Sequence, residues 1–283
     1  MSRRYVVGVD GSEAGRVALT WAARRAEADG AGLLVVHVED DDLALAGTAG
    51  SRESRDAGSR ILQAALAEVE TESPGVAVEA AVETGPLAWA LASRADPADT
   101  IVVGTHKLGY LHGRVLGSRS VQVASVARGT VAVVPSLDLR FREGVVAGID
   151  RAETATAIAE LAADEAARRG EELLLLESVP TGSGTDRSGL PIGVAVAAAR
   201  ARHPRLEVRS RVSTRPPSEA LLDAARTRAV LVLGPGSTGP HRSPIGSVLH
   251  DVLVNANSVV LVARDDSVGR VAGDLASLTG ASG

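Results

Sequence analysis

The residues best suited to chemistry form one glycine-rich stretch, Gly104-Thr105-His106-Lys107-Leu108-Gly109-Tyr110-Leu111-His112-Gly113-Arg114-Val115-Leu116-Gly117-Ser118-Arg119-Ser120, directly after an apolar strand-like run. Four glycines in fourteen residues let backbone N–H groups turn inward, and the Gly117-Ser118 junction opens a helix whose N-terminus favours an anion. Such a segment can cradle a phosphate chain. A second polar turn, Gly8-Val9-Asp10-Gly11-Ser12, follows the first strand-like run. It does not fit the dinucleotide fingerprint, which needs glycines where Asp10 would repel pyrophosphate. A Walker-type loop is excluded as well: Gly234 and Gly239 have the right separation, but Pro240 follows in place of lysine. A phospho-accepting receiver domain wants a lysine after the last strand, where Pro135 stands.

The elements that position these turns occur twice. Val6-Val7-Gly8-Val9-Asp10 is echoed by Val145-Val146-Ala147-Gly148-Ile149-Asp150, and each is followed by an Ala-rich helical stretch. In the first helix Ala14, Val17, Ala18, Trp21 and Ala22 make a core-facing stripe, with Arg16, Arg24 and Glu27 largely off it; Ser12 stands at the N-cap. Ala155, Ile158, Ala159 and Ala162 repeat the spacing, but Arg151-Ala152 replaces Gly11-Ser12, a weaker cap. Further strands are expected at Leu33 to Val38, Val76 to Val82, Ile101 to Gly104 and Val131 to Val134. In the second copy they are expected at Leu173 to Leu176, Leu206 to Val212, Val230 to Gly234 and Val259 to Val262. Short helices are expected near Pro86 and Pro217, and others opening at Gly117-Ser118 and Gly246-Ser247. Glu39 to about Ser54 and Ser178 to Gly189 read as long loops.

Strands alternating with helices imply parallel pairing through right-handed crossovers, so the expected fold is α/β, with two tandem open doubly wound sheets. The boundary falls between Pro135 and Gly144, which places one domain at 1–138 and another at 143–265, with a tail at 266–283. At 283 residues, two domains suit the length.

With one Phe, two Trp and two Tyr, the cores must be filled by Val, Leu, Ile and Ala, as in sheets buried on both faces. Trp21 and Trp89 occupy apolar helical positions and read as core. The aromatic scarcity and the net charge of −5 exclude a nucleic-acid partner from the expectation, while a single nucleotide remains compatible. No cysteine means no disulfide and no thiolate ligand, and the six histidines show no metal-ligand spacing. No apolar run reaches membrane-spanning length or makes a signal peptide, so no membrane partner is expected and the expected location is the cytoplasm.

Together, the Gly8 to Ser12 turn and the loop from Gly104 to Ser120 resemble the universal stress protein family in its tandem two-domain form. ATP-binding members of that family carry Gly-x-x-Gly, nine residues, then Gly-Ser/Thr. The resemblance covers nearly the whole chain. It implies the adenine nucleotide alpha hydrolase-like fold with strand order 3-2-1-4-5, and an internal pseudo-dimer packed through the last strands. It also implies ATP as cofactor, with or without Mg2+, and a homodimer beyond the pseudo-dimer is compatible with it. By position, Asp10 is expected to face adenine or ribose and the backbone near Val38 to border the base, while Gly104, Gly117, Ser118 and Ser120 contact phosphates. The candidate site thus comprises Asp10, Gly11, Ser12, Val38, Gly104, Thr105, Gly109, Gly113, Gly117, Ser118, Arg119 and Ser120.

The family's second glycine is Lys107 here, which either fills the phosphate space or supplies a cation. His106, His112 and Lys107 read equally as phosphate contacts or surface residues, and Arg114 and Arg119 also suit a solvated helix face. Asp10 alone could simply cap the first helix. The second copy keeps Gly234 and Gly246-Ser247 but interposes Pro235, Pro240 and Pro244, which remove amide donors, so it reads as structural. No nucleophile elbow or paired-carboxylate spacing is present, so no catalytic residue is assigned. The functional expectation is an ATP-binding stress-response module. A scaffold without nucleotide and a slow ATPase of the same fold are the rivals.

Overall fold

A computed structural model describes residues 3–39, 48–105, 119–137, 139–179, 190–236 and 245–264. The first half runs β1 (Arg4–Val9), α1 (Glu13–Asp29), β2 (Gly32–Glu39), α2 (Thr48–Glu72), β3 (Val78–Thr84), α3 (Leu87–Arg94), β4 (Thr100–Thr105), α4 (Arg119–Val126) and β5 (Thr130–Pro135). The second half runs β6 (Val145–Ile149), α5 (Ala152–Arg169), β7 (Leu173–Ser178), α6 (Leu190–Arg202), β8 (Val208–Ser213), α7 (Pro217–Ala225), β9 (Val230–Leu233), α8 (Ser247–Asn255) and β10 (Val259–Val262). None of the described helices is long and apolar enough to cross a membrane.

The strands form one ten-stranded sheet in the order β3-β2-β1-β4-β5-β10-β9-β6-β7-β8. Each half has the expected 3-2-1-4-5 order, and the two are fused edge to edge rather than standing as separate sheets. Pairing is parallel within each half, while β5 and β10 pair antiparallel through Val131 with Val262, Ala132 with Leu261, and Val133 with Val260. Strand residues alternate between two helical layers. Val7, Leu33, Val35 and Leu173 pack with α1, α2, α5 and α6, and Val6, Leu34, Ile101 and Leu231 pack with α3, α4, α7 and α8. With both faces covered, the strands can be almost continuously apolar.

The α1 stripe behaves as its period requires. Ala14, Ala18 and Ala22 are buried, Val17 and Trp21 half-buried, and Arg16, Arg24 and Glu27 exposed. The Ser12 hydroxyl accepts the Gly15 amide at 3.1 Å, whereas Arg151 gives α5 no side-chain cap. Several expectations need correction. The sheet pairing of β3 and β8 begins two residues later than the apolar runs suggest, because the Val76 and Leu206 amides bond back to the Ser73 and His203 carbonyls in turns. The stretch from Glu39 to Ser54 is not all loop: α2 begins at Thr48, since a 25-residue helix tolerates the cost of Gly50, about 1 kcal/mol. Trp89 is 65% exposed, not core, because in α3 the buried residues Ala88 and Leu91 set a face from which Trp89 points away. Trp21 is only half-buried, with the Arg25 guanidinium 4.6 Å over its ring.

On the α1 side of the sheet the two halves meet through a buried ion cluster, in which Arg25 and Arg168 both donate to Glu165 Oε2. Arg25 and Glu165 are 140 residues apart, the spacing that also separates Gly8 from Gly148 and Gly30 from Gly170. The ion pair therefore joins equivalent positions of the two copies and marks their pseudo-twofold axis. Burial is the main influence on Arg25 and lowers its pKa, although Glu165 opposes the shift. Removing one member of such a pair strands a buried charge, so Glu165→Leu is expected to cost about 3–5 kcal/mol. The double variant Arg25→Met/Glu165→Leu should recover most of that loss. Urea midpoints of the three proteins test this, and a single-variant loss below about 0.5 kcal/mol would show the pair to be incidental.

Candidate functional site

Between β1 and β4 the strand order reverses, since β2 lies beyond β1 and β5 beyond β4. The connections leaving these two strands diverge to opposite faces, and a crevice forms at their C-terminal ends. At the end of β1 the chain turns through Gly11, whose φ of 77° lies in the left-handed region that favours glycine. The turn brings the Ser12 amide onto Asp10 Oδ1 at 3.0 Å and places Ser12 to cap α1. Asp10 Oδ2 accepts from Arg119 Nη1 at 3.1 Å, across 109 residues of chain. This contact joins the two segments singled out in the sequence, the β1 turn and the start of α4. Burial is the largest single influence on Asp10 and raises its pKa. The bonds from the Ser12 hydroxyl and amide and the charge of Arg119 together outweigh it, holding the carboxyl below its ordinary value.

The remaining candidates take several positions. Val38 is half-buried on β2 and packs toward the α3 side of the sheet. Thr105 ends β4, and its carbonyl accepts the Ser136 amide at 3.1 Å. Ser120 is buried, 2% exposed, in the first turn of α4. Gly104 has a packing role: a Cβ there would collide with the Ala14 carbonyl and the Gly15 amide, so the first turn of α1 rests directly on β4. Gly109, Gly113, Gly117 and Ser118 lie outside the described residues, as do His106, Lys107, His112 and Arg114.

Sequence reasoning passed over His37. Its Nδ1 donates to the Val9 carbonyl at 2.9 Å, so in the neutral ring Nε2 is the acceptor. A lone histidine at the end of a strand carries no spacing that could have announced this. At the equivalent place in the second half, opposite Ile149, stands Glu177, which is 4% exposed. The second crevice is built differently in other ways too. Arg151 bonds its own neighbour Asp150 at 3.3 Å and the Gly236 carbonyl at 3.1 Å, strapping the end of β6 to the segment leaving β9. Beside it lies a small, mostly apolar pocket of about 110 Å³ bordered by Gly148, Asp150, Leu176, Leu233 and Leu249. Among the described residues, no group of three or more His, Asp or Glu side chains could hold a metal ion.

The model of the universal stress protein family matches residues 1–135. A universal stress protein of Mycolicibacterium smegmatis is 29% identical, with 92% of this chain and 96% of that protein covered. The first half of the chain, residues 1–135, is thus similar to the universal stress protein family. A second such protein, from Mycobacterium tuberculosis, is 28% identical over 92% of this chain and 94% of its own length, so these matches run through both halves. A solved universal stress protein from Archaeoglobus fulgidus shares the fold, with a TM-score of 0.71 at 18% identity over 93% of this chain and 99% of that one.

Two measurements follow from the geometry. Gly104→Ala forces α1 off the sheet and should cost at least the about 1–3 kcal/mol typical of overpacking. Gly234→Ala should cost less, because its Cβ meets side chains that can move, Ile158 at 3.0 Å and Thr154 at 4.0 Å, and no backbone. Equal losses in the two denaturation midpoints would refute the close-packing role. A carboxyl whose folded pKa is depressed stabilises the fold above its unfolded value, and that contribution is lost as pH falls through the folded value. Asp10 should therefore steepen the loss of stability below pH 3.8. Melting curves from about pH 5 to about pH 2 should show a shallower acid limb for Asp10→Asn than for wild type. Superimposable limbs would disconnect Asp10 from acid unfolding.

Proposed function

We propose that this chain is a universal stress protein and binds an adenine nucleotide, ATP with or without Mg2+, in the crevice of its first half. On this reading it acts as a regulatory binding module in stress response rather than as an efficient catalyst. The observation that carries the proposal is the meeting of Asp10 and Arg119 at the switch point between β1 and β4. An ionised carboxylate and a guanidinium side by side suit a ligand with hydroxyls at one end and phosphates at the other. Asp10 accepts from ribose hydroxyls or the base, and Val38 borders the base. Arg119 and the N-terminus of α4, with the glycine-rich residues before it, receive the phosphates. Bound nucleotide contributes negative charge that holds the Arg119 guanidinium in place.

The second half, within 143–265, is proposed as a structural domain beside the nucleotide-binding domain at 1–138. The Arg151 strap and the mostly apolar pocket beneath it support this division. Calorimetric titration of ATP into the wild type, Asp10→Asn and Arg119→Ala is the direct test. One ATP per chain is expected, with each variant weakened about tenfold or more, roughly 1.4 kcal/mol. At 100 times Kd, ATP should stabilise the wild type by about 2.7 kcal/mol in thermal melts. No heat and no thermal shift would overturn the proposal in favour of a scaffold, and two ATP per chain would overturn the structural assignment of the second half.

A further inference from the structure

At the opposite ends of β1 and β4 from the crevice, the two halves enclose a cleft of about 770 Å³. Pockets that take metabolite-sized ligands run about 300–1,000 Å³. The cleft's apolar lining comes from Trp21, Ala31, Leu161 and Leu261. Its charged lining comes from Arg3, Arg25, Arg168 and Arg202 with Asp29, Asp164 and Glu165. In a chain of net charge −5, this cleft holds a cationic excess.

The charges are not equally committed. Arg25 and Arg168 share Glu165. Arg202 spends Nε and Nη2 on the two oxygens of Asp164 at 2.8 and 2.9 Å, and His203 also reaches Asp164 at 2.7 Å. Asp29 accepts from the Tyr5 hydroxyl at 2.5 Å. Arg3 stands apart. Its guanidinium lies 5.6 Å over the Tyr5 ring and donates to Thr100 Oγ1 at 3.3 Å, and no carboxylate among the described residues comes within ion-pair distance. A guanidinium has five N–H donors, so Arg3 keeps most of its capacity for a planar anion.

Symmetry separates this feature from the needs of the interface. At the 140-residue spacing, Arg3, Tyr5 and Trp21 correspond to Glu143, Val145 and Leu161. Arg3 and both aromatics of this cleft are thus present in one copy only, while the seam itself is built from both. Two of the five aromatic residues in the chain are placed here.

From this geometry we infer a second binding site, in the cleft between the halves, for a small organic carboxylate with a planar apolar body, its anion on Arg3 and its body against Trp21, Leu161 and Leu261. The site is separate from the nucleotide crevice and does not depend on it.

Trp89→Phe leaves Trp21 as the sole tryptophan, and Trp89 is exposed enough for the change to be harmless. In that background benzoate should change Trp21 emission saturably, whereas neutral benzamide should bind at least about fivefold more weakly, roughly 1 kcal/mol. Adding Arg3→Gln should weaken benzoate by a similar factor without altering the melting temperature, and saturating ATP should leave the titration unchanged. A linear response, equal binding of benzamide, indifference to Arg3→Gln or competition by ATP would each overturn the inference. The last of these would place the anion in the nucleotide crevice. A fall in melting temperature for Arg3→Gln would be resolved by Arg3→Lys, which keeps the cation and should restore benzoate binding. Failure to restore it in a folded protein also counts against the site.

Discussion

The pairing of β5 with β10 is the constraint on which the rest of the molecule rests. Both strands are fully apolar along their paired stretches, Val131 to Val134 and Val259 to Val262, and are buried to within a few per cent. Left as sheet edges they would offer unpaired amides beside bare valines, the arrangement that templates aggregation. Antiparallel pairing removes both edges at once and leaves β3 and β8 as the margins of a single sheet. Those margins are charged, with Glu79 exposed on β3 and Arg209 and Arg211 exposed on β8. The same pairing reverses strand direction across the seam, so the C-terminal ends of the two sets of strands point opposite ways and each crevice develops independently.

Independence of the two crevices is visible in how each handles the aspartate after its first strand. Asp10 is satisfied from a distance, by Arg119 at the start of α4, and locally by the Ser12 amide. Asp150 is satisfied by its neighbour Arg151, which goes on to hold the Gly236 carbonyl. The first arrangement makes the aspartate depend on the position of a helix, while the second closes on itself. The glycine at the end of the fourth strand diverges in parallel: Gly104 admits the backbone of α1, whereas Gly234 faces the side chains of Ile158 and Thr154.

Much of this fold is legible in the sequence because both periodicities are strong. Long helices such as α1 and α5 repeat their apolar stripe over several turns, and the buried strands are short runs of Val, Leu and Ile between turn residues. The 3-2-1-4-5 order came from family resemblance, not periodicity. Short elements carry less information: eight residues of α3 do not establish which apolar side chain faces the sheet, which is why Trp89 read as core. Contacts across the duplication are harder still. Arg25 and Glu165 each look like surface residues of an Ala-rich helix until the seam brings them onto the pseudo-twofold axis. In the site, the turn chemistry of Gly11 and Ser12 could be read locally. The packing role of Gly104 could not, because it depends on how closely α1 approaches β4.

The site and the seam are linked by α4. Its first residue, Arg119, reaches Asp10, and its buried face contributes Val123 and Ala124 to the core shared with α8. In its last turn the Ala124 carbonyl accepts from Arg264, which follows β10 across the seam. A ligand that takes Arg119 from Asp10 therefore acts on a helix anchored at one end to the crevice and at the other to the second half. Transmission of that kind needs an element with two arrangements that both sites bias. α4 meets the structural part of the requirement, since the Asp10 to Arg119 contact is exposed and cheap to exchange, while the Val123 and Ala124 packing is buried and costly to disturb. The exchangeable end can respond to a ligand. The packed end limits that response to a movement of the whole helix against α8, which is the form in which occupancy of one crevice could reach a surface built from both halves.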